Sequence, residues 1–407
     1  MRKRSRVAPV FGGDPIVLWL TAILLAAGTF SVFNASYATA IRRGESIFGG
    51  EVIRHFMWLA AAIATYYFVA KMRWTDLKRN SGLFFAIVFV LCLLVYVPGI
   101  GYSVRGASRW INLRVGNLQP SELMKPVIIL YVAGLLTQSY QANRRRVRDW
   151  IEVLDFRVLP WISKNRGWIF IALVLLLIEK QPDLGSALAV GACMFGVLLI
   201  GGVKLRHLGF LLAACAIVFT YFAFSKGYRA DRFLYHQDRW SASDTYGYQP
   251  VQSEKAMAVG GPLGVGIAHG QAKHVLPAAT TDYAFTTIAE EFGLWGSLFA
   301  IGLLAALSLR LLFLSIHAQT PWCRMVMGGV GWWLGVQSAL NVLMVGAALP
   351  SVGIPLPFIS YGGSSLVAIA IGLGAAHACS KKVENLEASR ATDRHRRRYG
   401  RTRLTRA

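Results

Sequence analysis

The stretch AATTDYAF, residues 278–285, places one carboxylate, Asp282, directly ahead of an apolar run that begins at Tyr283 and continues to about Leu309. Two chemistries fit an acid at that position. Asp is among the best N-cap residues, and here it could accept the amides of Ala284 and Phe285. A carboxylate at a membrane–water boundary can equally serve as a general base, a role worth about 10² to 10⁴ in rate. The spacing argues against a paired-carboxylate hydrolase. On one regular helix, Glu290 would lie about 80° around and roughly 12 Å along the axis from Asp282, beyond the separations of about 5 to 9.5 Å that most glycoside hydrolases use. Glu291 would lie on the opposite side, so one or both glutamates must turn into the protein, because a lipid-facing carboxylate is costly.

Other polar groups cluster in a few segments. In RWINLRVGNLQPSELMKP, Gln119 or Ser121 can cap a helix that begins near Pro120, with Glu122 in its first turn, where the helix dipole favours an acid. Lys125, three residues on, shares that face and is disfavoured so near a helix N-terminus. It is read either as a local partner of Glu122 or as a cation that joins Arg109 in binding an anion such as phosphate. Arg229 and Arg232 in YRADRF fit a surface salt-bridge cluster as well as a substrate site, and Gln249, Gln252 and Ser253 ahead of Gly260 and Gly261 are weak signals taken alone. In PLPFISYGGSSL, Pro355 and Pro357 prevent regular helix, Gly362 and Gly363 allow tight turns, and Ser364 can cap a following helix. Irregular backbone of this kind within a membrane protein must be buried or line a cavity.

The elements that hold these groups follow from composition. With 407 residues, 55% hydrophobic and only 15% charged, the chain is too apolar for a soluble domain and reads as a membrane protein. Apolar runs lie near 15–34, 52–70, 82–99, 123–139, 167–180, 184–203, 207–225, 284–309, 325–348 and 364–379. Most are long enough for a helix to cross a hydrocarbon core of about 30 Å. The expected fold is therefore an all-α polytopic protein of about ten transmembrane helices, with both termini cytoplasmic and a large extracytoplasmic loop over 226–282. The division is a basic tail 1–14, a membrane domain 15–380 and a basic tail 381–407. The net charge of +23 follows that topology, since 29 of the 43 Lys and Arg fall in the segments this orientation puts inside. The tail RHRRRYGRTRLTR is read as an anchor to anionic membrane lipids or as disordered, not as a nucleic-acid site. The five cysteines, in or beside apolar runs, imply neither disulfides nor a metal framework. The first run lacks a clean cleavage site and reads as a retained helix. All the polar motifs fall on one expected face, the outer one.

GASRWINL, LQPSELMK, QPDLGSAL, YRADR, GYQPVQS, the glycine run Gly260–Gly266, TDYAFTTIAEEFGLWG and PLPFISYGGSSL occur in an order that resembles the shape, elongation, division and sporulation (SEDS) family, the peptidoglycan glycosyltransferases that include RodA and FtsW. The resemblance spans about 15–380. It implies a ten-helix enzyme of the bacterial cytoplasmic membrane that polymerises lipid II on the outer face with a class B penicillin-binding protein, within the division or elongation machinery. It implies that Asp282 is catalytic and in contact with a divalent cation (Mg or Mn), with no organic cofactor. It places Arg109, Glu122, Lys125, Arg229, Arg232, Lys273, Gln252 and Ser253 at the substrate or its pyrophosphate. Gln119, Pro120, Ser121, Asp183, Glu290, Glu291, Pro357, Ser360, Tyr361, Gly362, Gly363 and Ser364 are signature positions. GYQ at 247–249 and the basic tails look more like the division branch at the septum than the elongation branch. Departures occur beside the aspartate, where Ala278 and Thr280 replace the family's usual Glu and His, and DTYGYQ replaces DPxGxGYQ. The rival readings are a lipid II flippase, an elongation-type polymerase and a non-catalytic division scaffold.

Overall fold

The computed structural model describes residues 13–44, 50–104, 107–113, 116–142, 167–224, 227–318 and 320–380. Among them are ten long helices: α1 (Pro15–Arg43), α2 (Gly50–Lys71), α3 (Trp74–Leu94), α4 (Pro120–Ala142), α5 (Gly167–Lys180), α6 (Leu184–Ile200), α7 (Leu205–Phe224), α11 (Ala284–Ile316), α12 (Pro321–Val345) and α13 (Gly363–Ser380). Seven of these are long and apolar enough to cross a membrane, while α6 is a shorter apolar helix. The basic segments within 143–166 and 381–407, on which part of the charge asymmetry rests, lie outside the described residues.

The helices sort by what their side chains meet. The hydrophobic windows of α4 and α13 are 78% and 83% buried, whereas that of α7 is 11% buried. So α4 and α13, with α6 and α12, form the centre, while α2, α3 and α7 turn apolar side chains such as Phe68, Leu83 and Phe210 outward. Outward apolar faces are what lipid as solvent demands. The core gathers Met124, Ile128, Val190, Val197, Trp322, Trp333 and Leu373.

Three features depart from the sequence reading. The segment after α3 folds into a small antiparallel sheet, β1 (Gly101–Val104), β2 (Ala107–Leu113) and β3 (Gly116–Leu118), in the order β1-β2-β3. Between the pairs Tyr102–Trp110 and Ser103–Ser108, Arg109 is the extra residue of a β-bulge in β2, while Ile111 is buried against the protein. The 226–282 segment carries its own helices, α8 (Gly227–Leu234), α9 (Tyr248–Gly260) and the single-turn α10 (Ala272–Val275). Finally, α11 is not one straight helix. Gly293 has φ 67° and ψ −161°, a left-handed break that an L side chain would strain. The backbone groups freed there are reused: Val265 N–H donates to Glu290 O at 3.0 Å and Gly266 N–H to Glu291 O at 3.1 Å, while Leu294 N–H donates to Gly261 O at 2.9 Å. A Cβ on Gly293 would lie 2.3 Å from Gly264 N, so the glycine run and the break require each other.

Candidate functional site

Four loops meet at one end of the bundle. Gln119, just before α4, donates from its backbone N–H to Ser364 Oγ at 2.8 Å and from Nε2 to Asp183 Oδ2 at 2.7 Å. Ser121 donates to the same Asp183 oxygen at 3.3 Å, and Ser364 donates to Asn117 O at 3.3 Å. Asp183 Oδ1 accepts Ser186 N–H at 3.2 Å and so caps α6. The side-chain bonds seen for Gln119 and Ser121 therefore go to Asp183 and, for Gln119, also to Ser186 Oγ at 3.4 Å, not to the amides of α4. Ser364 is the second residue of α13 and ties it to β3 instead of capping it. Neither Gly362 nor Gly363 takes a left-handed conformation; a Cβ on Gly363 would strike the Trp58 ring at 2.2 Å, so that glycine serves close packing. Pro357 and Ser360 are buried in the segment joining α12 to α13.

Asp183→Ala should lower stability by about 2 kcal/mol or more, since a lost cap costs about 1 kcal/mol and an orphaned buried donor about 1 to 3. Thermal unfolding of the purified protein in detergent checks this, and an unchanged midpoint would contradict the junction role.

Arg109 reaches the same junction. Its Nε donates to Gln181 O at 3.1 Å and its Nη2 to Pro182 O, with Nη1 3.9 Å from Asp183. Lys125 is 1% exposed, and its Nζ donates to Glu122 Oε1 at 2.6 Å and to Gln337 Oε1 at 3.2 Å. The two cations are therefore held by different partners.

Asp282 is half-buried and precedes Tyr283, the N-cap residue of α11. It thus stands one position outside the N-cap it was expected to occupy. Its backbone is held from three sides. Tyr361 N–H donates to Thr280 O at 2.7 Å, Ser360 Oγ to Thr281 O at 2.6 Å, and Asn341 Nδ2 to Asp282 O at 2.8 Å. Below the carboxylate, Gly353 has φ 73°, and a Cβ there would lie 3.3 Å from Asp282 Oδ2.

The two glutamates of α11 do turn inward. Glu290 accepts the backbone N–H groups of Gln271 and Ala272, both at 2.8 Å, and so anchors α10. Glu291 pairs with Lys273 Nζ at 2.6 Å, and both groups bond Asn34, at 2.5 and 3.0 Å. Lys273 is therefore committed to a buried ion pair. Ser253 is buried, exchanging a 2.7 Å hydrogen bond with Thr286 and donating to Val345 O at 2.9 Å, while Gln252 is half-buried on α9. Arg229 and Arg232 sit on α8, and their side chains lie outside the described residues. Among the described residues no three His, Cys, Asp or Glu side chains converge as a metal cluster would.

The profile of the FtsW, RodA and SpoVE family, described as "Cell cycle protein", matches residues 15–385. The chain belongs to that family. A protein of Aromatoleum aromaticum named "Probable peptidoglycan glycosyltransferase FtsW" is 33% identical over 372 residues, covering 88% of this chain and 86% of that protein. One of the same name from Coxiella burnetii is 31% identical, covering 95% of this chain and 100% of its own. A chain solved under the words "Structural coordination of polymerization and crosslinking by a peptidoglycan synthase complex" superposes with a TM-score of 0.70 at 25% identity, covering 91% of this chain and 98% of that one. The rod shape determining protein RodA of Thermus thermophilus shares the fold at TM-score 0.63 and 24% identity, covering 91% of this chain and 97% of its own.

The family motifs thus frame the junction, but Gln337 and Asn341 escaped the sequence reading. The available signal was a pair of amide side chains four residues apart inside the apolar run 325–348, a spacing that puts both on one helix face, where polar groups within a membrane are expensive.

Proposed function

We propose that this chain is a multi-pass peptidoglycan glycosyltransferase that polymerises lipid II on the outer face of a bacterial cytoplasmic membrane, with Asp282 as its general base. The observation that carries the reading is the mounting of Asp282. Three hydrogen bonds hold its backbone and two preceding peptides, while the carboxylate stands half-buried at the meeting of four polar loops. Such a mounting fixes the place from which a base can act. In the reaction, Asp282 takes the proton from the 4-hydroxyl of one lipid-linked disaccharide as that oxygen attacks the anomeric carbon of another. The bond to polyprenyl pyrophosphate breaks, and the pyrophosphate leaves with the electron pair.

Arg109 is the cation we assign to the pyrophosphate, since its side chain keeps 28% exposure while anchored to the 181–182 carbonyls. Lys125, enclosed by Glu122 and Gln337, shapes the site from behind. A divalent cation would supply further charge neutralisation to the leaving group. Asp282 fits as its one protein carboxylate, because magnesium is commonly held by one or two carboxylates plus substrate phosphates. The four loops lie at the end of the bundle assigned to the outside, with both termini cytoplasmic and ten helices spanning. The names of the relatives support a septal role, and the likeness to a chain of a complex that polymerises and crosslinks supports a cross-linking class B penicillin-binding protein as partner.

The test is lipid II polymerisation by the purified chain, with and without a cognate class B penicillin-binding protein. Glycan strands sensitive to muramidase are expected in the partnered sample. Lipid II translocation across liposomes without polymer would replace this reading with the flippase.

A further inference from the structure

The face of α12 behind the junction carries two amide side chains one turn apart. Gln337 accepts from Lys125 Nζ at 3.2 Å and from Trp333 Nε1 at 2.7 Å, and its Nε2 donates to Pro355 O at 2.8 Å. Asn341 is 0% exposed, and its Nδ2 donates to both Asp282 O, at 2.8 Å, and Ile354 O, at 2.6 Å. Both partners are carbonyls, so only the amide nitrogen can face them. The bonded carbonyls of Ile354 and Pro355 directly follow Gly353, whose α-carbon faces Asp282 Oδ2. One side chain thus joins the backbone of the acid to the loop beneath that acid's carboxylate. Asn341 Oδ1, also buried, has no hydrogen-bond partner among the described residues. A buried amide that leaves its own oxygen orphaned is costly, and each such group asks for a reason beyond packing.

We infer that Asn341 is a positioning residue for the glycosyl transfer: it sets the direction of the Asp282 carboxylate by locking the 282 peptide to the 353–355 loop, with Gln337 holding the next carbonyl of that loop. This inference rests on Asp282 being the base. Asn341 does not touch substrate. It acts through the angle at which the carboxylate meets the attacking hydroxyl, so its loss falls on the chemical step, while the surfaces that bind the lipid-linked sugars stay in place.

The experiment measures kcat and KM for lipid II polymerisation by the full chain with its partner, alongside the thermal midpoint of each variant. Asn341→Asp keeps the volume but turns an oxygen toward two carbonyls. Its kcat is expected to fall roughly 10- to 100-fold with KM within about twofold, the scale set by misplacement of about 1 Å. Ser338→Ala is the control for damage to α12, since among the described residues Ser338 Oγ bonds only its own helix at Leu334 O, 2.7 Å away, and wild-type kcat is expected there. Wild-type kcat in folded Asn341→Asp overturns the inference. So does a kcat loss matched by Ser338→Ala, or one that tracks loss of folded protein. Should Asn341→Asp fail to accumulate, Gly353→Ala tests the same geometry from the other side of the carboxylate, with the same expected fall in kcat and the same overturning result. Asp282→Asn separates the two readings. If that variant is inactive while Asn341→Asp is normal, only the positioning role falls; if Asp282→Asn is active, the assignment of the base falls instead.

Discussion

Asp282→Asn should cut glycan polymerisation by about 10² to 10⁴, the range over which a positioned general base acts, while the protein remains folded. The two halves of that expectation have different sources. The rate loss follows because an amide cannot take a proton from a sugar hydroxyl. The intact fold follows because three hydrogen bonds that hold this segment end on its backbone: Thr280 O, Thr281 O and Asp282 O are the acceptors, and all three survive the substitution. Asparagine also matches aspartate in volume, so it fits the place beside Gly353 that the carboxylate occupies. Steady-state polymerisation of lipid II, measured with the thermal midpoint, checks both halves. Activity within about twofold of wild type would remove Asp282 from the chemistry, and a collapsed midpoint would make it a structural residue.

The helical scaffold was legible because lipid imposes a simple code. Runs of apolar residues must become helices, and every expected run has its helix, although α1 and α11 continue well past the expected ends at 34 and 309. The junction was legible in part. The residue types at Arg109, Glu290 and Glu291 announced buried or functional charge, and the resemblance marked Asp183, yet their partners lie far away along the chain, and spacing cannot supply those. Lys273 and Glu291 meet through a short helix that Glu290 itself anchors. Asp282 was misplaced by one position because capping preference is a local rule, whereas Tyr361, Ser360 and Asn341 fix this backbone through tertiary bonds. The sheet at 101–118 escaped notice because its strands are short and, among the described side chains of β2, only Ile111 is buried. The break at Gly293 was hidden because a glycine inside an apolar run reads as a tolerated helix residue until the run Gly260–Gly266 is seen to pack on it.

Lys125→Met should destabilise the protein by about 3 to 5 kcal/mol, because it strands Glu122 as an uncompensated buried charge. Lys125 and Glu122 are 1% and 3% exposed, respectively, so water cannot take over as partner. Measured against total stabilities of about 5 to 15 kcal/mol, a loss of that size should sharply reduce the folded protein recovered in detergent. The double variant Glu122→Gln, Lys125→Met removes both charges and should regain most of the loss, since an intact buried pair is often no more stable than a neutral replacement. Polymerisation separates the two roles open to the lysine. If Lys125 works through Gln337 and the loop that holds Pro355, activity should return with stability to within about tenfold, the scale of a modest misalignment. If its ammonium binds the departing pyrophosphate, stability should return while kcat stays down by about 10² or more, the cost of losing a preorganised group at developing negative charge. The bonds from Nζ to Glu122 and Gln337 favour the first result, and unfolding midpoints with kcat for the single and double variants decide it.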